Sequence, residues 1–434
     1  MRILTVLLIA GLVGIGSCAN RTDPVTGDSY YSPLGSDYQS QLEYVRRNLI
    51  SQAVTVQDGG DLNEPQINDA CQRVFQEVLT GIPETHRRNF QFDLKLGAST
   101  TINAYTYGAG FVRANLGLIA QCDDASEFAG IIAHELGHNS HDHIGQTVGR
   151  SAVTQNVLGL GGIAGTPGRV IGNFVGGDIA RFTLNKYSRT QETLADERAV
   201  EYTTAAGIDP DGLARFFEKL EKREKGSRPP QLFQTHPYSG NRVTAIRAKI
   251  AALPIKADGY SDSADFERAI KRAREIMPYY EKLNRAVEGD DLDAVITAAD
   301  AGIKALPGHA QFLFWKGVVL ATQEKPLEAV AFLREATAAD TGTNFLIPLM
   351  QQMLELQTGH PQRAIRAADR LIALMPSIPH GYLVRGLAHF QLDDKDAAFS
   401  DFDAALERVP DSRSRKKLQK TIEERVPDYK ASGK

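Results

Sequence analysis

The sequence predicts a predominantly helical α+β fold: an N-terminal mixed domain followed by an all-α array of repeats. Three observations predict it. Between about Gln39 and Leu253, helical apolar patterns surround a short strand-like segment, Phe90 to Leu96. One of those helical patterns carries two histidines a single turn apart, at His134 and His138. Further on, small residues and helix-ending prolines recur at steps of roughly 34 to 35 residues. At 434 residues the chain exceeds one ordinary domain, since compact units hold ~150 residues. Its 42% hydrophobic and 24% charged residues suit a globular protein. With 49 basic against 53 acidic side chains and a net charge of −4, it offers no broad cationic surface to phosphates, and nucleic acid is set aside as a partner.

Arg2 precedes an apolar run from Ile3 to Gly16 that reads as an export signal, shorter than the ~18 to 20 residues that cross a bilayer as a helix. Ile15-Gly16-Ser17-Cys18 resembles a lipobox, which makes Cys18 the lipid-modified first residue of the mature chain. Ala19 after it resembles the outer-membrane sorting class. The alternative is a plain signal peptide cut after Ala19, leaving a soluble periplasmic protein. Either route places the body outside the cytoplasm, where Cys71 and Cys122 form a disulfide or stay buried thiols; spacing alone does not decide between them. The expected organisation is signal peptide 1–18, tether 19–38, catalytic domain 39–253, charged linker 254–275, about four repeats over 276–425, and a tail 426–434.

In the catalytic domain, Asp124 followed by Glu127 marks a helix start. Phe128, Ile132 and Leu136 then form a core-facing stripe, with His134 and His138 on a neighbouring face. Two imidazoles one turn apart grip a metal ion, and Glu135 between them is placed as general base: the HExxH pattern. Catalytic zinc takes three protein ligands, and Glu192 is the third candidate. It lies in a helical pattern running to Ala206 and stopped by Gly207, with Asp196 one turn on to accept a ligating histidine's second ring proton. Ala195 and Ala199 allow this helix to approach the first closely, and Glu197 and Glu201 are the next candidates for the ligand. One zinc ion per chain is expected. His141 and His143 read as packing or hydrogen-bonding neighbours. The glycine-rich stretch Gly145–Gly177 lacks the lysine-serine or lysine-threonine pair of a phosphate loop, and reads as a mobile cover over the cleft.

The clearest repeat runs from Pro379 to Pro410, with Tyr382, Leu383, Gly386, Ala398, Phe402 and Ala405 in the positions of a tetratricopeptide repeat. A unit from Ala310 gives Leu313, Gly317, Ala329, Leu333 and Ala336 in the same register. A unit from Phe345 keeps Ala364 and Pro376, and a looser first unit from Ile276 keeps Tyr279 and Pro307. Such an array is a solenoid with a concave face for protein partners.

Asn103-Ala104-Tyr105, the HExxH helix and the ExxxD helix together resemble the family of zinc peptidases that includes HtpX and the CAAX prenyl protease, over roughly residues 40 to 250. The resemblance implies a zincin-type gluzincin domain with ligands at His134, His138 and Glu192. It also implies a substrate-binding edge strand at Asn103, Ala104 and Tyr105, where phenylalanine is commoner than Tyr105. Thr235-His236-Pro237 and Arg242 resemble a family motif near the active site, so His236 either caps the open metal position, stabilises an oxyanion or structures its loop. His143 matches a family position, and Asp23 to Gly27 looks like the tether of lipoprotein members. The implied function is an envelope zinc endopeptidase that degrades misfolded or stalled proteins and assists outer-membrane protein assembly. Its implied partners are unfolded or misassembled envelope proteins, the β-barrel assembly machinery through the repeats, and the membrane through a lipid anchor. The alternative is a chaperone or scaffold acting mainly through the repeats, with a largely closed zinc site.

Overall fold

The computed structural model describes residues 19–23, 25–32, 59–87, 90–108, 110–143, 187–224, 231–236, 241–253, 263–342, 344–376, 378–409 and 412–431. Cys18, the signal segment 1–18 and the glycine-rich stretch 145–177 lie outside them. No described helix is long and apolar enough to cross a membrane. The chain is α+β and mostly helical, as its sequence predicts.

A short antiparallel hairpin comes first, β1 (Ala19–Thr22) with β2 (Ser29–Ser32). This part of the expected tether is therefore structured, because the Asp23 carboxylate closes the turn from within. Helix α1 (Pro65–Thr80) buries Ile67, Ala70, Cys71, Val74, Phe75 and Val78 along one stripe. After the single turn α2 (Glu84–Arg87), a three-stranded sheet follows in the order β3 (Asp93–Gly97), β5 (Phe111–Asn115), β4 (Ala104–Gly108). β3 starts three residues later than Phe90, where Asp93 meets Phe111, the first residue of its partner. β3 and β5 run parallel, β4 antiparallel, and β4 is the edge with an irregularity between Thr106 and Gly108.

Beyond α3 (Leu116–Gln121), α4 (Ala125–Ser140) starts where the sequence places it, the Asp124 side chain accepting from the Glu127 amide at 2.8 Å. Every residue of α4 is buried, so its histidine face and its apolar stripe differ in partners rather than in exposure. α5 (Arg189–Ala205), α6 (Gly212–Glu224), α7 (Gln231–Thr235) and α8 (Asn241–Ala251) complete this part. Gly207, at φ 75°, ends α5 as predicted.

The repeats follow as four helix pairs: α9 (Ser263–Glu288) with α10 (Leu292–Ala305), α11 (Ala310–Thr322) with α12 (Pro326–Ala339), α13 (Leu346–Gln357) with α14 (Pro361–Leu374), and α15 (Pro379–Gln391) with α16 (Lys395–Glu407). α17 (Ser412–Arg425) closes them. Three expectations need correction. Residues 263–275 of the expected linker are helical, because Phe266, Ala269, Ile270, Ala273 and Ile276 recur as a buried stripe sharing one hydrophobic cluster with the peptidase core. In the first unit the anchoring aromatic is Tyr280, 1% exposed, and not Tyr279, 36% exposed. In the expected tail, Val426 and Tyr429 pack against Phe402 and Leu406.

Cys71 and Cys122 are free and fully buried, so the disulfide alternative is set aside. Burial pushes both thiols well above their ordinary range. In the last repeat, burial pushes the His380 ring down to about 4 from 6.5. The unfolded chain then binds the proton more readily, so stability present above about pH 6.5 is lost as pH falls through about 4, by about 3 kcal/mol in full. Denaturant titrations from pH 4 to 7 should show a shallower pH slope for His380→Leu than for the parent.

Candidate metal centre

The site forms where α4 and α5 cross. Gly137 faces α5 so closely that a Cβ there would lie 3.0 Å from the Ala195 carbonyl oxygen and 3.0 Å from Arg198 Cβ. Small residues on both helices thus bring His134 and His138 of α4 against Glu192 and Asp196 of α5. The short helix α7 adds His236, whose ring follows directly on its last turn.

His134 Nε2 and His138 Nε2 stand 3.1 Å apart. His236 Nδ1 lies 3.2 Å from His134 Nε2 and 3.0 Å from Glu192 Oε1. One donor atom from each of His134, His138, Glu192 and His236 lies within 4.8 Å of the others, and all four residues are buried. This donor set fits a zinc-type metal: three imidazole nitrogens and a carboxylate oxygen converge, closer together than neutral rings can all satisfy by sharing protons. Both Glu135 oxygens are buried without a hydrogen bond, and Oε1 lies 3.3 Å from His236 Nε2.

The surrounding contacts hold these groups in place. Asp196 Oδ1 is 2.9 Å from His134 Nδ1. Arg242 Nε and Nη2 donate to Asp196 at 2.8 and 2.7 Å, while its Nη1 lies 2.9 Å from Glu192 Oε2. His143 Nδ1 is 2.7 Å from His138 Nδ1, and the Tyr187 ring stacks on His138 with centroids 3.8 Å apart. Burial raises the Glu135 carboxyl above its usual range despite His236 and His134 nearby. Burial would raise Glu192 too, but His236, His134 and Arg242 hold it below that range. For His236 the burial penalty is outweighed by Glu192 and Glu135, and its pKa rises. Burial and the neighbouring rings push His138 well below the usual histidine value.

The other sequence candidates are placed as follows. Ala104 and Tyr105 lie on the edge strand β4, and Asn103 just before it, buried, with its carbonyl accepting from the Asn115 amide at 3.0 Å. Glu197 and Glu201 do not join the cluster; both pair with Arg198. His141 faces Asp23 and not the metal group. Sequence reasoning missed two neighbours. Asn139 donates to Thr106 Oγ1 at 2.7 Å and accepts from the Gly110 amide at 3.0 Å, which ties the histidine helix to β4 and its irregularity. Its position directly after His138 was the available signal. Tyr187 had none beyond preceding the Ser188 cap of α5.

A mixed α/β unit holding a buried three-histidine, one-glutamate group beside a second buried glutamate, followed by helical repeats, defines a metallopeptidase with a repeat domain. Residues 62–250 match the model of peptidase family M48, and residues 280–342 and 349–413 match that of a tetratricopeptide repeat. The chain thus carries an M48 peptidase domain followed by tetratricopeptide repeats. Metalloprotease LoiP of Escherichia coli K12 is 32% identical over 166 residues, 37% of this chain and 64% of LoiP. Metalloprotease YcaL of the same organism is 31% identical over 36% of this chain and 62% of YcaL. These two matches span less than two thirds of either relative. The beta-barrel assembly-enhancing protease of Escherichia coli K12 is 24% identical over 420 residues, 86% of this chain and 81% of that protein.

Widening the helix crossing should loosen the group. Gly137→Val is expected to destabilise the fold by about 1 to 3 kcal/mol and to weaken metal retention, read by denaturation and by metal analysis after dialysis.

Proposed function

We propose that this protein is a zinc-dependent endopeptidase of the bacterial cell envelope, holding one zinc ion per chain on His134, His138 and Glu192. The observation that carries the reading is the convergence of these residues with His236, beside the buried Glu135 carboxylate, which makes no hydrogen bond. Bound zinc supplies Lewis acidity toward a scissile carbonyl and toward water. Glu135 takes the proton of the attacking water and returns it to the leaving amine; its raised pKa suits both transfers. Asp196 holds the His134 ring through Nδ1, and Arg242 fixes Asp196 and Glu192 together. The substrate lies extended along β4 at Asn103, Ala104 and Tyr105, where backbone pairing binds without strong side-chain preference. That mode suits misfolded or stalled envelope proteins. Likeness to the beta-barrel assembly-enhancing protease over most of the chain supports a role in outer-membrane protein assembly, with the repeats holding protein partners. Periplasmic location and an outer-membrane lipid anchor at Cys18 complete the reading; a soluble periplasmic form is its alternative.

One observation favours a second reading. His236 stands within the donor group, so four side chains already surround the position that a substrate would need. A largely closed site fits a chaperone or scaffold acting through the repeats, with proteolysis released only when His236 leaves.

Two measurements test this. Glu135→Gln should retain zinc and the fold while peptide cleavage falls by ~10²- to 10⁴-fold; cleavage at the parent rate refutes the assignment of the base. Chelation should abolish cleavage and lower the unfolding temperature of the parent, with zinc restoring both. Rescue of an envelope defect by Glu135→Gln would favour the scaffold reading.

A further inference from the structure

The hairpin of β1 and β2 differs from a plain tether because its turn is built against the histidine helix. Asp23 closes that turn from inside: Oδ1 accepts from the amides of Val25 and Thr26 at 2.8 and 3.2 Å. Its own amide donates to Asp28 O and its carbonyl accepts from the Gly27 amide, both at 2.8 Å, with Gly27 at φ 78°. The second carboxylate oxygen turns inward, 2.8 Å from Nδ1 of His141, the residue that caps the end of α4. Asp23 is 3% exposed and His141 fully buried. A turn could keep its carboxylate in water; burying it is costly unless a specific partner compensates.

The contact continues inward from His141. Its ring lies parallel to that of His143, centroids 5.1 Å apart and planes 6° apart. His143 Nδ1 in turn lies 2.7 Å from His138 Nδ1, a distance at which the two nitrogens share one proton. A His138 that turns Nε2 toward the metal group carries its proton on Nδ1 and donates it to His143. His143 must then accept at Nδ1 and hold its own proton on Nε2. Its plane is set by the stack on His141, and His141 is oriented by Asp23.

We propose that Asp23 is a positioning residue for the metal centre, and that the 19–32 hairpin is a clasp acting on His138 through His141 and His143. The segment ahead of the peptidase domain is then part of the site, and the metal group is fully ordered only with the clasp seated. The inference rests on the reading of His134, His138 and Glu192 as the metal-holding group.

Asp23→Asn separates the clasp from the turn. An asparagine oxygen still accepts from Val25 and Thr26, but its NH₂ group faces the His141 Nδ1 proton. The full mature chain and this variant are compared by zinc affinity in competition with a chelating dye. Long-range proton–nitrogen spectra of the metal-free protein report the ring tautomers of His138, His141 and His143. The expected result is a zinc affinity lower by on the order of tenfold, with mixed tautomers at His141 and His143. Peptide cleavage should lose turnover with little change in KM. Asp23→Asn and His141→Gln combined should be no worse than either alone. Parent-like zinc affinity and tautomers in Asp23→Asn overturn the clasp, and so does a lower unfolding temperature with both unchanged. If Asp23→Asn folds poorly, His141→Gln alone is judged by its zinc affinity and by the tautomers of His138 and His143. A parent that retains no zinc defeats the metal reading instead, and the metal-free spectra still decide the clasp.

Discussion

The contact of α4 with α5 through Gly137 and Ala195 is the constraint on which the site depends. It places two histidines of one helix against two carboxylates of the other in a buried region. Buried charges of this kind are tolerated only when each is compensated. The structure meets that demand in layers: Arg242 answers Asp196 and Glu192 together, Asp196 answers His134, and His143 answers His138. Glu135 makes no hydrogen bond in this network, its nearest partner being His236 Nε2 at 3.3 Å. A carboxylate so sparsely compensated in a folded interior is a candidate for chemistry rather than for stability.

The peptidase part and the repeats are joined more closely than their sequence patterns suggest. The cluster that contains Phe128 and Leu136 continues through Phe266, Ile276 and Tyr280 to Ala299 and Phe312, so the first helix pair is packed as part of the peptidase core. Polar contacts reinforce this at the start of the domain. Glu64 pairs with Arg272 and lies 3.3 Å from His309, while Asp61 accepts from Thr341 at 2.9 Å. Asp61 also meets the buried Arg113 of β5 at 2.6 Å. The second helix pair is therefore linked to the central strand of the catalytic sheet through a single carboxylate.

The sequence exposed those features that local spacing dictates. The start of α4 at Asp124, the facing of His134 and His138, the end of α5 at Gly207 and the repeat anchors Gly386 and Phe402 each depend on residues within a few turns of one another. Features that depend on distant partners were hidden. Nothing near Asp23 announces a contact 118 residues away in the chain. Tyr279 and Tyr280 are indistinguishable until helix packing selects one. The helix from Ser263 was masked by a charged, proline-containing stretch ahead of it, and its apolar stripe gains meaning only against α1. The two cysteines were undecided for the same reason, since pairing is a matter of separation in space.

His236 shows how a closed arrangement can still belong to an enzyme. It lies 3.0 Å from Glu192 and 3.3 Å from Glu135, and so stands against both the proposed ligand and the proposed base. The element that delivers it is five residues long and is fastened by the Leu232 amide to the carbonyl of Ile102 at 3.1 Å. Ile102 directly precedes Asn103, Ala104 and Tyr105 at the β4 edge of the described sheet. If a substrate pairs along this strand, as proposed, it meets the chain directly after the residue to which the His236 helix is fastened. His236 follows directly on α7, whereas the α4–α5 contact that aligns the remaining donors involves neither that helix nor Ile102.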